Sequence, residues 1–156
     1  MELNLPGRAA SVTVLDSVSS TNTLLKEQAM KGAVEGSVLI ALQQTGGRGR
    51  MGRSFVSPPG GLYLSMLLSP RCSPEASLSL TPCAAVAVQR AIARLSDAQA
   101  DIKWPNDLLI EGKKVCGILC ESLFYQGQQK LIVGVGLNVN TPPEAFTGEL
   151  SAIAGS

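Results

Sequence analysis

The chain has 156 residues, of which 45% are hydrophobic and 4% aromatic, and its formal net charge is +1 at pH 7. This length is typical of one domain that buries about two thirds of its unfolded surface, and so few aromatic residues require a core of aliphatic side chains. A net charge so close to zero argues against a protein that coats nucleic acid or an anionic membrane.

The chain has four cysteines, no CxxC pair and no histidine. A zinc site would therefore need unusual ligands. A disulfide framework is not expected in a chain with a core of normal size, so the thiols should be reduced. The first ten residues lack the pattern of a signal peptide, and no stretch reaches the roughly 18 uninterrupted apolar residues of a membrane span. We expect a soluble, cytoplasmic protein with no membrane partner.

The first predicted elements are a strand and a helix. Apolar and polar residues alternate over residues 11–16, which predicts a short strand. Ser19 or Ser20 can cap a helix that continues to about Met30, and Gly32 is suited to ending it.

Two apolar stretches, residues 37–42 and 62–68, predict buried strands on either side of a loop without hydrophobic periodicity. A Ser-Pro-Pro-Gly-Gly turn at residues 57–61 leads into the second strand. Residues 77–95 then carry apolar side chains at helical spacing, so they predict a second helix.

The rest of the chain predicts strands. Residues 107–110 and 113–123 flank a Glu111-Gly112 turn and should form a hairpin. Gln126-Gly127 is a second turn signal before a strand at residues 130–139. This order predicts one α+β domain over residues 1–156, with a mixed β-sheet, helices packed on one face and the site assembled by loops at one edge. We expect residues 130–139 to be an exposed edge strand, and so a surface for a homodimer.

The loop between the first two buried strands, which we call the arginine loop, combines four glycines with three arginines: Gly46, Gly47, Gly49, Gly52, Arg48, Arg50 and Arg53. Glycine lets backbone N–H groups converge on a ligand, and arginine offers paired donors to a carboxylate or phosphate. A second polar segment lies beside an apolar run and contains Lys103, Asn106, Asp107, Lys113 and Lys114. Together the two segments predict a site for a nucleotide and a carboxylate.

Taken singly, each motif also has a structural explanation. The arginine loop is compatible with a solvated surface or an RNA-binding segment, and Ser20 with a simple helix N-cap. Residues 104–107 suit a turn between strands, and Gly134 and Gly136 suit close packing within a strand.

Six motifs in one order carry a resemblance to a known family: Ser-Thr-Asn at 20–22, QTGGRGRMGR at 44–53, SPPGGLYLS at 57–65, KWPND at 103–107, GKKVCGIL at 112–119 and GVGLNVN at 134–140. Together they resemble the catalytic domain of bacterial biotin protein ligases, and the match extends from about residue 16 to residue 140. The resemblance implies a fold like that of class II aminoacyl-tRNA synthetases. It also implies that ATP and Mg²⁺ activate biotin as biotinyl-5′-AMP, and that biotin then passes to a lysine of the biotin carboxyl carrier protein of acetyl-CoA carboxylase.

The resemblance also implies roles for individual residues. The residues implied to bind biotin are Ser20, Thr21, Asn22, Gln44, Gly47, Arg48, Gly49, Arg50, Lys114 and Gly117. Those implied to bind the nucleotide are Arg50, Arg53, Lys103, Asn106, Asp107 and Asn138. Lys114 and Arg50 would be catalytic, Asp107 would also contact magnesium, and no tightly bound metal is expected. The arginine loop would close over biotin and the adenylate.

The chain departs from the family pattern at several points. Met51 replaces a basic residue and Phe55 a tryptophan, and the chain ends soon after the last motif, before the SH3-like domain of many relatives. No DNA-binding helix-turn-helix is visible before residue 11, so we expect no DNA partner. The alternatives are a truncated, non-catalytic biotin-binding paralogue, a relative that handles lipoate or octanoate, and a nucleic-acid-binding module.

Overall fold

A computed structural model describes residues 11–156. The first ten residues, on which the expected absence of a signal peptide rests, lie outside the described residues. One seven-stranded sheet runs through the structure in the order β1-β2-β3-β7-β6-β5-β4. Its strands are β1 Ser11–Leu15, β2 Ser37–Ala41, β3 Gly61–Leu68, β4 Asp101–Lys103, β5 Asp107–Ile110, β6 Lys113–Tyr125 and β7 Gln128–Asn138. Because β1 and β2 are parallel and the other neighbours antiparallel, the predicted mixed sheet is confirmed.

The helices are α1 Thr21–Met30, α2 Pro74–Ser77, α3 Leu80–Leu95 and α4 Leu150–Ile153. The helix expected over residues 77–95 is therefore α3, which begins three residues later, and a separate short helix, α2, ends at Ser77. Ser73 caps α2, since its hydroxyl accepts from the Ala76 backbone N–H at 3.2 Å, and α3 begins only at Leu80.

The two longer helices pack on opposite faces of the sheet, which corrects the expectation that helices cover one face. Alternate residues of a strand point to opposite faces. On β7, Ile132 packs in the cluster formed with α1, whereas its neighbour Val133 faces the other way, and Val135 packs in the cluster formed with α3. We call these two surfaces of the sheet the α1 face and the α3 face.

The strand predicted at residues 130–139 is not an edge strand. It forms β7, which is hydrogen-bonded to β3 on one side and to β6 on the other. The proposed homodimer surface on this strand is therefore wrong, because both of its hydrogen-bonding edges are already used within the sheet. Over residues 11–156 the edge strands are β1 and β4.

Both predicted hairpin turns are present. Glu111 and Gly112 have φ angles of 51° and 77°, and Gln126 and Gly127 have φ angles of 50° and 74°. Two consecutive left-handed residues are typical of the tight turns that suit the twist of antiparallel strands, and glycine adopts this conformation without strain.

By length and composition alone, the segment Glu75–Leu95 is long and apolar enough to cross a membrane, and it is the one such segment within residues 11–156. The helical structure of this segment is interrupted between α2 and α3. Ala84, Ala85, Val88 and Ile92 of α3 pack against the sheet, which gives the apolar side chains of that helix face a structural role.

Candidate functional site

The candidate site lies on the α1 face, over the middle of the sheet rather than at an edge. Three glycines replace side chains there: Gly117 of β6 and Gly134 and Gly136 of β7. Together with the N-terminus of α1 and the arginine loop, they line a cleft that encloses about 470 Å³, partly open to solvent. We call it the first cleft.

The Ser-Thr-Asn motif forms one wall of the first cleft. Ser20 caps α1, its hydroxyl accepting from the Thr23 backbone N–H at 3.4 Å, so the capping explanation of this motif is confirmed. Thr21 donates to Gln44 Oε1 from its backbone N–H at 2.8 Å. Asn22 is also buried, and its Oδ1 lies 2.6 Å from the Ser65 hydroxyl. The polar groups of this wall are thus fixed before any ligand arrives.

The arginine loop is held by its own backbone. The Gly49 N–H donates to the Arg53 carbonyl at 2.7 Å, and the Phe55 N–H donates to the Gly47 carbonyl at 2.9 Å. Gly47 is required for packing, since a side chain there would collide with the Phe55 carbonyl and the Ser57 hydroxyl. It is absent from the linings of both clefts described here, which are built from residues 11–156.

The side chains of this loop reach the sheet and the turn before β5. Arg48 forms an ion pair with Glu121 of β6, with Nη2 and Oε1 2.9 Å apart. Arg50 donates to Asn106 Oδ1, also at 2.9 Å. Arg48 and Arg50 therefore attach the loop to the rest of the site, while its tip at Met51 is exposed to solvent.

Phe55 lies between the loop and the sheet. An added side-chain carbon at Gly136 would come within 2.6 Å of its ring, and one at Gly117 within 2.9 Å. The ring meets Tyr63 edge to face at a centroid distance of 6.5 Å, and Lys114 Nζ lies 5.8 Å from its centroid. The glycines of the last two motifs thus make room for an aromatic side chain, in agreement with the close-packing explanation of Gly136.

Lys114 faces the site because of a bulge in β6. Leu108 pairs with Cys116 but Leu109 pairs with Lys114, so Val115 is the extra residue of the bulge. Such a residue reverses the alternation of a strand. Lys114 therefore shares a face with Gly117 and forms an ion pair with Asp107, Nζ and Oδ1 being 2.8 Å apart.

A second cleft adjoins the first. It encloses about 1470 Å³, partly open to solvent, and contains Arg53, Asp107 and Asn138. Five residues line both clefts: Gly49, Arg50, Phe55, Asn106 and Lys114. Asn138 donates to the Gly155 carbonyl at 2.8 Å, while its buried Oδ1 has no partner within residues 11–156. Lys103 is exposed on β4 and belongs to neither lining in the described part of the chain.

The match to known proteins agrees with this arrangement. Residues 14–138, most of the chain, match the Biotin/lipoate A/B protein ligase family. The chain belongs to this family.

Two similar bacterial proteins are named as ligases. The chain is 43% identical over 143 residues to the "Bifunctional ligase/repressor BirA" of Bacillus subtilis, covering 90% of this chain and 44% of that protein. It is 38% identical over 146 residues to the "Biotin--[acetyl-CoA-carboxylase] ligase" of Mycobacterium tuberculosis, covering 90% and 53%. The chain therefore spans about half the length of these relatives.

Solved structures of ligases share the fold. The biotin protein ligase of Aquifex aeolicus in complex with biotin and ATP aligns with a TM-score of 0.72 at 35% identity, over 93% of this chain and 58% of that one. The Leishmania major ligase in complex with biotinyl-5-AMP aligns with a TM-score of 0.75 at 25% identity, over 92% and 62%. These likenesses support the expected fold, similar to that of class II aminoacyl-tRNA synthetases.

Sequence reasoning missed three polar residues that hold the side chains lining the first cleft: Ser57, Ser65 and Glu121. Ser57 accepts from Gln44 Nε2 at 2.9 Å, and Ser65 is fully buried among polar groups of α1. Ser65 interrupts an apolar strand and Glu121 ends an apolar run. A polar residue in such a place needs a buried partner, which is a signal that the sequence already contained.

Proposed function

We propose that this chain is a biotin protein ligase that activates biotin with ATP as biotinyl-5′-AMP. Biotin would occupy the first cleft and the nucleotide the second. The single observation that carries the proposal is the boundary between the clefts. Arg50 and Lys114 line both of them, so each can neutralise a carboxylate on one side and a phosphate on the other.

The chemistry needs no general base. A carboxylic acid such as that of biotin has a pKa near the value of Glu, about 4.3, so it is ionised at neutral pH. What the first step requires is two anions held together. Cationic side chains fixed before the reaction stabilise the charge that develops on the phosphate. Lys114 suits this task because its ammonium group already faces a carboxylate, that of Asp107.

The residues present also fit a magnesium ion carried by ATP. Two carboxylates, Asp107 and Glu149, line the second cleft. Magnesium is usually bound by one or two carboxylates together with substrate phosphates and water, and it would neutralise phosphate charge. Within residues 11–156 there is no cluster of three or more acidic or cysteine residues that would hold a metal by itself.

For the second step we propose transfer of biotin to a lysine of the biotin carboxyl carrier protein of acetyl-CoA carboxylase. The name of the Mycobacterium tuberculosis relative supports this partner. A cytoplasmic location and the absence of a DNA partner are part of the same proposal, and the net charge of +1 supports the latter.

The first step is tested with ATP labelled at the α-phosphate, magnesium and either biotin or lipoate. We expect a labelled adenylate with biotin and none with lipoate or without an acid. Product with lipoate alone would assign the chain to the lipoate branch of its family. Folded protein that binds biotin but makes no adenylate would favour the non-catalytic alternative.

The second step is tested by adding a carrier domain, with a variant in which arginine replaces its acceptor lysine as the control. We expect biotin on the carrier but not on the variant. Equal labelling of both would show indiscriminate release of the activated acid instead of directed transfer.

A further inference from the structure

Glu121 is the carboxylate that joins the arginine loop to the N-terminus of α1. Its Oε1 accepts from Arg48 Nη2 at 2.9 Å, and its Oε2 accepts from Asn22 Nδ2 at 2.9 Å. Both oxygens are therefore engaged by groups that are far away in the sequence. The side chain is only 18% exposed, so these bonds are partly shielded from water.

The position of Glu121 on the sheet explains why it can reach both groups. It pairs with Ile132 in the register between β6 and β7, and Ile132 faces α1. Glu121 therefore lies on the α1 face, two residues along β6 from Leu119, whose carbonyl also accepts from Asn22 at 3.2 Å. Arg48 and Asn22 line the first cleft, whereas Glu121 is absent from that lining in the described chain.

Glu121 also helps to orient Asn22. Its carboxylate and the Leu119 carbonyl both accept from the amide nitrogen of Asn22 and hold it toward β6. The amide oxygen then points to the Ser65 hydroxyl, 2.6 Å away. A neutral amide at position 121 has one oxygen that can accept and one NH₂ group that cannot. Its NH₂ group would therefore face one of the two donors, Arg48 or Asn22.

We propose that Glu121 is a positioning residue that fastens the arginine loop over the first cleft and fixes Asn22 in its binding orientation. It acts through Arg48 and Asn22 and does not itself touch the ligand. The expected effect of Glu121 on biotin binding rests on the proposed function. The fastening of the loop does not, and it can be measured without any ligand.

The ligand-free test is trypsin cleavage in the loop, which offers three arginines as cleavage sites: Arg48, Arg50 and Arg53. Glu121→Gln should speed cleavage after Arg50 and Arg53 about threefold to fivefold, the range that a half-exposed ion pair supports. Glu27→Gln, at an exposed position on α1, is the matched control and should leave cleavage unchanged. The fragments are identified by mass spectrometry.

A second variant keeps the test valid if Glu121→Gln does not fold. Arg48→Gln breaks the same ion pair from the loop side without altering β6, and it should speed cleavage to the same extent. The double variant should be no faster than either single one, because one contact is lost in all three. Unchanged cleavage in both folded single variants, or additive effects in the double variant, would overturn the proposal.

Biotin supplies the readout that a merely structural role would not give. In Glu121→Gln the KM for biotin should rise by about tenfold or more, as for loss of a charge-assisted hydrogen bond, while kcat at saturating biotin changes less, since Lys114 is untouched. An unchanged KM would contradict the role in orienting Asn22. If the unaltered protein binds no biotin, the proposed function fails, and the cleavage comparison still decides whether Glu121 fastens the loop.

Discussion

Individual residues of the site are held by partners inside the protein. Lys114 faces Asp107, Arg50 faces Asn106, and Arg48 faces Glu121. An anionic ligand entering the clefts would join these partners. Because such groups are already oriented, little reorganisation is required when the ligand binds.

Replacement of Lys114 tests its role directly. We expect Lys114→Ala to lower the rate of adenylate formation by at least about 100-fold, as for loss of a group that stabilises developing charge, with little change in melting temperature. The measurement is the labelled-ATP assay together with thermal denaturation.

The matched control is Lys113→Ala. Lys113 is the neighbouring cation, but it pairs with Ile110 and is exposed on the opposite face. An equal loss of activity in both variants would show that only the local charge matters, and not the position that the bulge gives to Lys114.

The space left by glycine is testable at Gly136. An alanine there would bring its Cβ within 2.6 Å of the Phe55 ring. We expect Gly136→Ala to destabilise the protein by about 1–3 kcal/mol, the usual effect of overpacking, and to weaken ligand binding by displacing the ring. Urea denaturation measures the change in the free energy of unfolding. The cost should shrink in a Phe55→Leu background, and an equal cost in both backgrounds would refute the clash with Phe55.

At the scale of elements, α1 combines two functions that the sequence presented as alternatives. Ser20 caps the helix and also lines the first cleft. The residues that follow along the helix, such as Leu25 and Ala29, are buried against the sheet. The core contacts of α1 therefore hold its N-terminus, and with it the polar wall, in place.

The capping role of Ser20 predicts a loss of stability. Ser20→Ala should lower the free energy of unfolding by about 1 kcal/mol, because an N–H at the start of α1 loses its acceptor. Denaturant titration provides the value. Ser19→Ala is the control, since Ser19 is exposed and contributes its backbone carbonyl rather than its side chain to the loop. Equal effects at the two positions would show that the cap contributes nothing specific.

The bulge in β6 is the element that sequence reasoning could not find. The strand pattern predicted a hairpin correctly, but a regular ladder would have placed Lys114 on the α3 face, together with Cys116. Local sequence predicts that a strand is present more readily than its register. The register depends on which residues of two strands pack together.

For the whole molecule, the burial of two thiols in the cluster on the α3 face, and of Tyr63, makes the free energy of unfolding depend on pH. Burial raises the pKa of Cys116 from 9.0 to about 12, and burial also raises the pKa of the Cys120 thiol and of Tyr63. These groups remain protonated in the folded protein at pH values where the unfolded chain releases its protons.

Stability should therefore fall under alkaline conditions. Between pH 9.0 and about 12 the folded protein retains the Cys116 proton and the unfolded chain does not. The free energy of unfolding then decreases with rising pH, by up to about 1.4 kcal/mol per pH unit for this thiol. Denaturant titrations over this range measure the slope. Cys116→Ala should make the slope shallower, and an identical slope would exclude this thiol as a cause.

The sequence by itself determined the local features of this protein. The helix at Thr21–Met30, the two tight hairpin turns and every strand except β4 followed from periodicity and from glycine placement, because these depend on neighbouring residues. The two polar segments predicted a site for a nucleotide and a carboxylate. Of the site residues that the resemblance implied, all but Gly47 and Lys103 line the two clefts within residues 11–156.

The tertiary structure alone decided how these elements combine. It placed β7 inside the sheet instead of at its edge, and it divided α1 and α3 between the two faces. It also brought Glu121 and Lys114 onto the same face as the glycines. Strand order and register depend on contacts between residues far apart in the chain, and a linear pattern of apolar residues does not specify those contacts.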